Sequence, residues 1–442
     1  MSIKHSVIRR AAQAVAVVAG VVIAVQAQAA LNIQHWQTSK GSAVYFVENH
    51  DLPIIDISTN FAAGSARDGE KSGLAGVARY LMTLGAGSLT DQQISNGLAD
   101  VGAVLGGELD ADRAAIKLRT LSSAREQQAA LDIYTNILHK PDFPDAVLAR
   151  EKARIIAGLK EAATQPESIA NKAFMKALYG NHPYAVEEDG QPESVGALQR
   201  SNLQQFYQQY YGARNAVIAL MGDMTPEQAK AIAERISSGL PDGPAAGSLP
   251  AVSYPQAAVE RRIPHPASQS HILLGYPGSK RGDADYFALY VGNYILGGGG
   301  FVSRLTEEVR EKRGLVYSVY SYFLPLQELG PFQVGLQTKR DQAEDALKLV
   351  RETLRNFISK GVTEAELKAA KQNIIGGFPL RIDSNSKILD YLAVIGFYKL
   401  PLNYLDEFNS KVEAVTTAQI QDAFSRRIDP DKMVTVVVGG SK

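Results

Sequence analysis

The chain has no cysteine among its 442 residues, which excludes disulfides, thiolate metal sites and a Cys nucleophile. Histidine is scarce. The seven are His5, His35, His50, His139, His182, His265 and His271, and no two stand four residues apart as a helical ligand pair would require. Charge of either sign is not in excess, with Lys plus Arg and Asp plus Glu both at 46. With no long basic block either, the electrostatic footprint for nucleic acid or an anionic membrane is missing. Beyond the first 29 residues there is also no apolar run long enough to span a bilayer.

Residues 1–29 differ from the rest. Lys4, Arg9 and Arg10 precede an apolar run from Ala11 to Val25, and Ala27-Gln28-Ala29 supplies small residues for cleavage. This is the pattern of a secretory signal peptide, and it places the mature protein in the periplasm. The whole chain is 45% hydrophobic and 21% charged, and the length beyond residue 29 suffices for more than one globular core.

The stretch from Ser237 to Val259 is dense in Pro, Gly, Ser and Ala, the composition of an exposed linker. On either side the chain echoes itself. NFAAGSARDG from Asn60 corresponds to GYPGSKRGDA from Gly275, and NAVIALMGD from Asn215 to MVTVVVGGS from Met433. EKARIIAGL from Glu151 corresponds to AKQNIIGGF from Ala370, with Lys152 matching Lys371, 219 residues on. A repeat this long means two copies of a domain, far beyond a solenoid unit. The expected organisation is a signal peptide (1–29), an N-terminal half-domain (30–238), a linker (239–258) and a C-terminal half-domain (259–442). Strand runs mixed with long helices, without regular βαβ alternation, predict an α+β fold in which each half is a mostly antiparallel sheet with helices on one face.

The densest unit is GGGGFVSRLTEEVREKRGLVYSVYSYF, from Gly297. Val302, Leu305 and Val309 recur at helical spacing, Gly314 suits a left-handed C-terminal cap, and the alternating Tyr/Val run from Leu315 predicts a strand. Arg310 then sits in the last helical turn and Tyr317 on the strand behind it, two donors able to hold a peptide carbonyl. On spacing alone the ordinary reading comes first, with Arg310 a solvated helix charge and Tyr317 a half-buried strand tyrosine. Gly297 to Gly300 lack the Lys-Ser or Lys-Thr of a phosphate-binding loop. Ser270 and His271 are adjacent on a strand, so they point to opposite faces and form no nucleophile and base pair.

SRLTEEVREKRGLVYSV resembles the C-terminal-half motif of the pitrilysin- and insulysin-type zinc peptidases, the inverzincins, and the resemblance extends over nearly the whole mature chain. In that family an Arg and a Tyr seven residues later contact substrate, which maps onto Arg310 and Tyr317. The resemblance implies half-domains paired into lobes, with two lobes closing on a peptide. It also implies a zinc helix with His-x-x-Glu-His after Gly-Leu-Ala, and a Glu about 76 residues on as third ligand.

KSGLAGVARYLMTLGAGS supplies the frame for that helix, with Ser72 as N-cap and Leu74, Val77, Ala78, Leu81 and Leu84 as its buried stripe. The ligand positions themselves hold Gly76, Arg79 and Tyr80, and the third falls at Gly158 when Glu151 is matched to the family's upstream Glu. None of these is a zinc ligand, and Glu161, one turn beyond Gly158, would be a single one. No metal or cofactor is therefore expected in this chain, and zinc is expected in a partner. The expected role is a non-catalytic subunit that contributes Arg310 and Tyr317 in trans to a zinc-bearing relative with intact His-x-x-Glu-His, the complex cutting peptides. The alternative is a non-enzymatic peptide-binding or scaffold protein on the same fold.

Overall fold

The computed structural model describes residues 31–439, so the expected signal peptide lies outside the described residues. In the first half the strands are β1 (Gln34–Gln37), the β-branched and aromatic runs β2 (Ala43–Glu48) and β3 (Ile54–Phe61), the short hairpin β4 (Gly85–Ala86) and β5 (Leu89–Thr90), then β6 (Val104–Leu109), β7 (Ala114–Leu121) and β8 (Ala216–Gly222). The second half supplies β9 (Val259–Ile263), β10 (Gln269–Pro277), β11 (Val316–Phe323), β12 (Pro331–Lys339) and β13 (Val434–Val438). Two large sheets result, ordered β1-β2-β8-β3-β7-β6 and β11-β12-β10-β13-β9. Each is antiparallel apart from one parallel pair, β2 with β8 and β9 with β13. Apart from β1, which has no counterpart, the orders correspond strand for strand, β2-β8-β3-β7-β6 with β9-β13-β10-β12-β11, so that β6 and β11 are equivalent free edges.

Each sheet carries helices of its own half on one face. In the first, Leu81, Leu131, Leu203 and Ile232, from four different helices, pack with Phe46, Ile57, Ile116 and Leu220. In the second, Phe424 meets Phe323, Phe332 and Phe357 edge-on. The opposite faces are covered by exchange. Helix Pro166–Tyr179 of the first half lays Ala170, Phe174 and Leu178 on Leu273, Val434, Val436 and Val438 of the second sheet. Helix Asn385–Phe397 crosses the first sheet in return, and its Gly396 comes so close that a Cβ there would stand 2.6 Å from Tyr45 and Val217. The 219-residue offset carries Pro166 onto Asn385, so the exchanged helices are themselves the repeat. The expectation of helices on one face thus describes each half by itself. Strands such as β13, buried at every position, require cover on both faces, and the other half provides it.

The halves are also pinned by a buried carboxylate. Asp112, 2% exposed, accepts hydrogen bonds from Tyr184 Oη (2.6 Å), the Gln327 backbone N–H (2.7 Å) and Tyr398 Oη (2.9 Å). Tyr184 Oη in turn accepts from the Glu328 N–H (3.0 Å). Burial, the largest influence, raises the Asp112 pKa, and the donors only partly oppose it.

Candidate functional site

The zinc-helix frame folds as the helix Leu74–Met82, with Leu74, Val77, Ala78 and Leu81 buried as expected and Leu84 only partly buried beyond its end. Its cap differs from expectation. Gly73 takes the N-cap position, and the carboxylate of Asp68 accepts from the N–H groups of Gly73 and Ala75, both at 2.7 Å. Two charge-assisted bonds from a buried Asp displace the single bond Ser72 would make, and Ser72 Oγ instead meets Ser194 Oγ at 2.9 Å. Burial pushes the Asp68 carboxyl up to about 7 despite these N–H donors.

Where the family pattern would place ligands, Gly76 and Gly158 offer no side chain. A Cβ on Gly76 would meet Leu109 at 3.4 Å and the Glu188 carbonyl oxygen at 3.7 Å, and one on Gly158 would meet nothing within 4 Å. Tyr80 lies under the guanidinium of Arg154, 5.3 Å from its ring centroid. Arg154 Nε donates to Glu151 Oε2 (2.7 Å), and Arg150 Nε donates to Oε1 (2.8 Å). Burial by itself would raise the Glu151 pKa, but Arg154 and Arg150 outweigh it and hold the carboxyl below its ordinary value. The matched Glu is thus engaged by two arginines. Arg79, at the position of the family's general base, is half-buried with its Nε sealed and without a hydrogen-bond partner. Its Nη1 lies against Gly107 of the free edge strand β6, where any Cβ would collide with it. These residues do not fit a zinc ion. Among the described residues no group of three His, Cys, Asp or Glu side chains is placed to hold a metal.

The Arg310 and Tyr317 unit is also altered in detail. Its helix is π-wound over Thr306–Glu311, with Lys312 N–H donating to the Glu307 carbonyl (3.0 Å), five residues back. Contrary to expectation, Val302 does not join its apolar stripe but is 75% exposed, because a tight turn at Gly300 to Val302 precedes the helix. Leu305 and Val309 do face inward. Gly314 closes the helix at φ +61°, its N–H on the Arg310 carbonyl (2.8 Å), and the strand follows as expected.

Tyr317 is the extra residue of a β-bulge. Val316 pairs with Thr338 and Ser318 with Gln337, leaving Tyr317 without an opposite number on β12. A bulge on an edge strand re-aims its side chain, and the Tyr317 residue is 52% exposed. Arg310 stands over the Phe301 ring at 5.1 Å, with Glu311 Oε1 3.7 Å from its Nε. The helix and strand pack together, yet among the described residues no hydrogen bond or ring contact joins Arg310 to Tyr317. Behind the strand, Asn293 Nδ2 donates to the Ser321 carbonyl (3.0 Å) and Ser321 Oγ donates to Asn293 Oδ1 (2.7 Å), fixing part of the free edge. Asn293 and Asp112 had no signal in the sequence, because their partners lie 28 or more residues away, whereas Asp68 has partners only five and seven residues on and was outcompeted in the reading by the adjacent Ser72.

Residues 197–374 match the family model described as the peptidase M16 inactive domain. A Helicobacter pylori protein, "Non-peptidase homolog YmxG", is 27% identical over 96% of this chain and 97% of its own length. A Bacillus subtilis protein, "Uncharacterized zinc protease YmxG", is 24% identical over 80% of this chain and 86% of its own. The crystal structure of a peptidase M16 inactive domain from Pseudomonas fluorescens is 39% identical with a TM-score of 0.90, covering 93% of this chain and 98% of that one.

Proposed function

The chain belongs to the peptidase M16 family as one of its inactive-type members, and from that premise we propose that it is the non-catalytic subunit of a heteromeric zinc metallopeptidase. The catalytic partner is a relative with intact His-x-x-Glu-His, whose zinc supplies the hydrolytic chemistry. This chain contributes binding surface and two donors, Arg310 and Tyr317, to the peptide carbonyl being cleaved. Its signal-peptide pattern supports a periplasmic site of action.

The observation that carries the reading is Tyr317, set on a bulge at a free sheet edge and left half-exposed beside the helix of Arg310. A phenol kept purely for packing would gain from burial, whereas this one is half in solvent on the strand that follows the helix of Arg310. Donors waiting at a carbonyl oxygen stabilise the charge that grows on it during attack, and loss of one typically costs ~10²- to 10³-fold in turnover.

The test is a complex reconstituted from this chain and a zinc-bearing relative. Tyr317→Phe and Arg310→Ala are expected to lower peptide turnover by roughly one to three orders of magnitude. Size-exclusion chromatography should show assembly intact. Unchanged turnover in an assembled complex would overturn the proposal. A second reading, a peptide-binding scaffold without a part in catalysis, is favoured by the name "Non-peptidase homolog" given to the H. pylori relative. That same unchanged turnover is the result it requires.

A further inference from the structure

A cavity of about 430 Å³ opens in the second half between the loop after β10, the helix Tyr286–Asn293, the turn after the exchanged helix Asn385–Phe397, and helices Phe408–Ala414 and Thr417–Arg427. None of the residues discussed for peptide cleavage lines it. Its walls are largely hydrocarbon, from Phe287, Leu400, Pro401, Tyr404 and Val415. The size is within the range of small-molecule sites, which combine apolar walls with a few placed polar groups.

Four of the charged side chains that line it are spoken for. Asp283 pairs with Arg427 (2.7 Å), Asp285 and Asp422 both pair with Arg426 (2.8 and 2.7 Å), and Lys411 pairs with Glu407 (2.9 Å). Arg281 is different. It makes no ion pair among the described residues, its Nε is buried without a hydrogen-bond partner, and its guanidinium rests on the Tyr398 ring at 5.3 Å. A half-buried guanidinium with open donors beside an apolar cavity is costly unless something completes it. The group that matches its planar fork is a carboxylate, bound through two parallel N–H···O bonds.

We propose that this cavity binds a small amphipathic carboxylate, an aryl or branched aliphatic acid, with the carboxylate on Arg281 and the hydrocarbon part against Phe287, Leu400 and Val415. A neutral ligand of the same shape would fill the walls but leave Arg281 unanswered. An inorganic anion would do the reverse.

Isothermal titration of the full chain with 3-phenylpropionate and with 3-phenylpropionamide tests this. Saturable binding of the acid is expected, with the amide at least about tenfold weaker, the order of one lost charge-assisted hydrogen bond. Arg281→Gln should weaken the acid about tenfold. Ala414→Trp, an exposed position on the rim, should close the cavity and abolish binding without altering the thermal midpoint. Absence of saturable binding, equal affinity for acid and amide, or binding that survives Ala414→Trp would each overturn the proposal. If Arg281→Gln fails to fold, the acid and amide contrast and Ala414→Trp decide the matter.

Discussion

Replacing Asp112 by Ala tests whether the two halves stand as one unit through a single carboxylate. Three donors converge on it, at 2.6, 2.7 and 2.9 Å. Hydrogen bonds to a charged acceptor are worth roughly 1.5–3 kcal/mol each, so the gross contribution is about 5–9 kcal/mol. Against this stands the cost of burying a carboxylate, several kcal/mol, which the upward pKa displacement reports. Removing one member of such a network leaves Tyr184 Oη, Tyr398 Oη and the Gln327 N–H without their acceptor, and a net loss of about 3–5 kcal/mol is expected. Asp112→Asn keeps the volume but turns an amide NH₂ toward either Gln327 N–H and Tyr398, or Tyr184, whose oxygen already serves Glu328. It should cost about 1–3 kcal/mol.

The assay is urea unfolding followed by two probes. The single tryptophan, Trp36, packs edge-on against Phe46 and reports the first half, whereas far-ultraviolet circular dichroism reports both. For Asp112→Ala the midpoint should fall by roughly 1 M or more, and the two probes should separate. A midpoint within error of the parent, with both probes still coincident, would refute the idea that this carboxylate couples the halves.

Further outcomes are expected elsewhere. His50 lies between Asp223 (2.6 Å) and Glu48 (2.8 Å), which raise its pKa above the ordinary 6.5. Its contribution to stability is therefore present below that value and lost as pH rises through the folded pKa. Titration followed by NMR should show the raised value, and Asp223→Asn should bring it down; an ordinary value in the parent would contradict this. Gly107→Ala should destabilise the chain by about 1–3 kcal/mol, because the new methyl lies 2.6 Å from the Ala115 carbonyl oxygen, as well as against Arg79. A neutral effect on urea unfolding would mean that β6 yields freely. The purified chain should carry no stoichiometric zinc by elemental analysis. The combination Gly76→His, Arg79→Glu, Tyr80→His and Gly158→Glu should acquire weak zinc affinity, since 76, 79 and 80 have the helical spacing of the ligand motif and a Cβ at either glycine meets nothing closer than 3.4 Å. Activity need not follow, as Glu151 stays engaged by Arg150 and Arg154. A folded fourfold variant without added zinc affinity would mean that the helix Leu74–Met82 is not matched to the family's zinc helix.

What the sequence determined by itself is what depends on neighbours along the chain. The stripe of Leu74, Val77, Ala78 and Leu81, the left-handed stop at Gly314 and the Tyr/Val strand behind it follow from periodicity and from the few residue types that tolerate special backbone angles. The repeat was legible because both halves solve the same packing problem with similar strings. The absence of ligand types at 76, 79, 80 and 158 could be read directly, because zinc coordination needs particular atoms whatever the fold around them. Tertiary structure alone decided which partner wins where several compete. Ser72 was a sound local cap, but Asp68, brought over the helix start by a loop and buried there, offers two charged acceptors. The π-winding before Gly314 and the bulge at Tyr317 each shift one residue in register, a difference no hydrophobic pattern resolves. Asp112 and Tyr398 are 286 residues apart. The exchange of helices Pro166–Tyr179 and Asn385–Phe397 is of the same kind, since the need to cover both faces of a sheet is met by whichever surface arrives there in three dimensions.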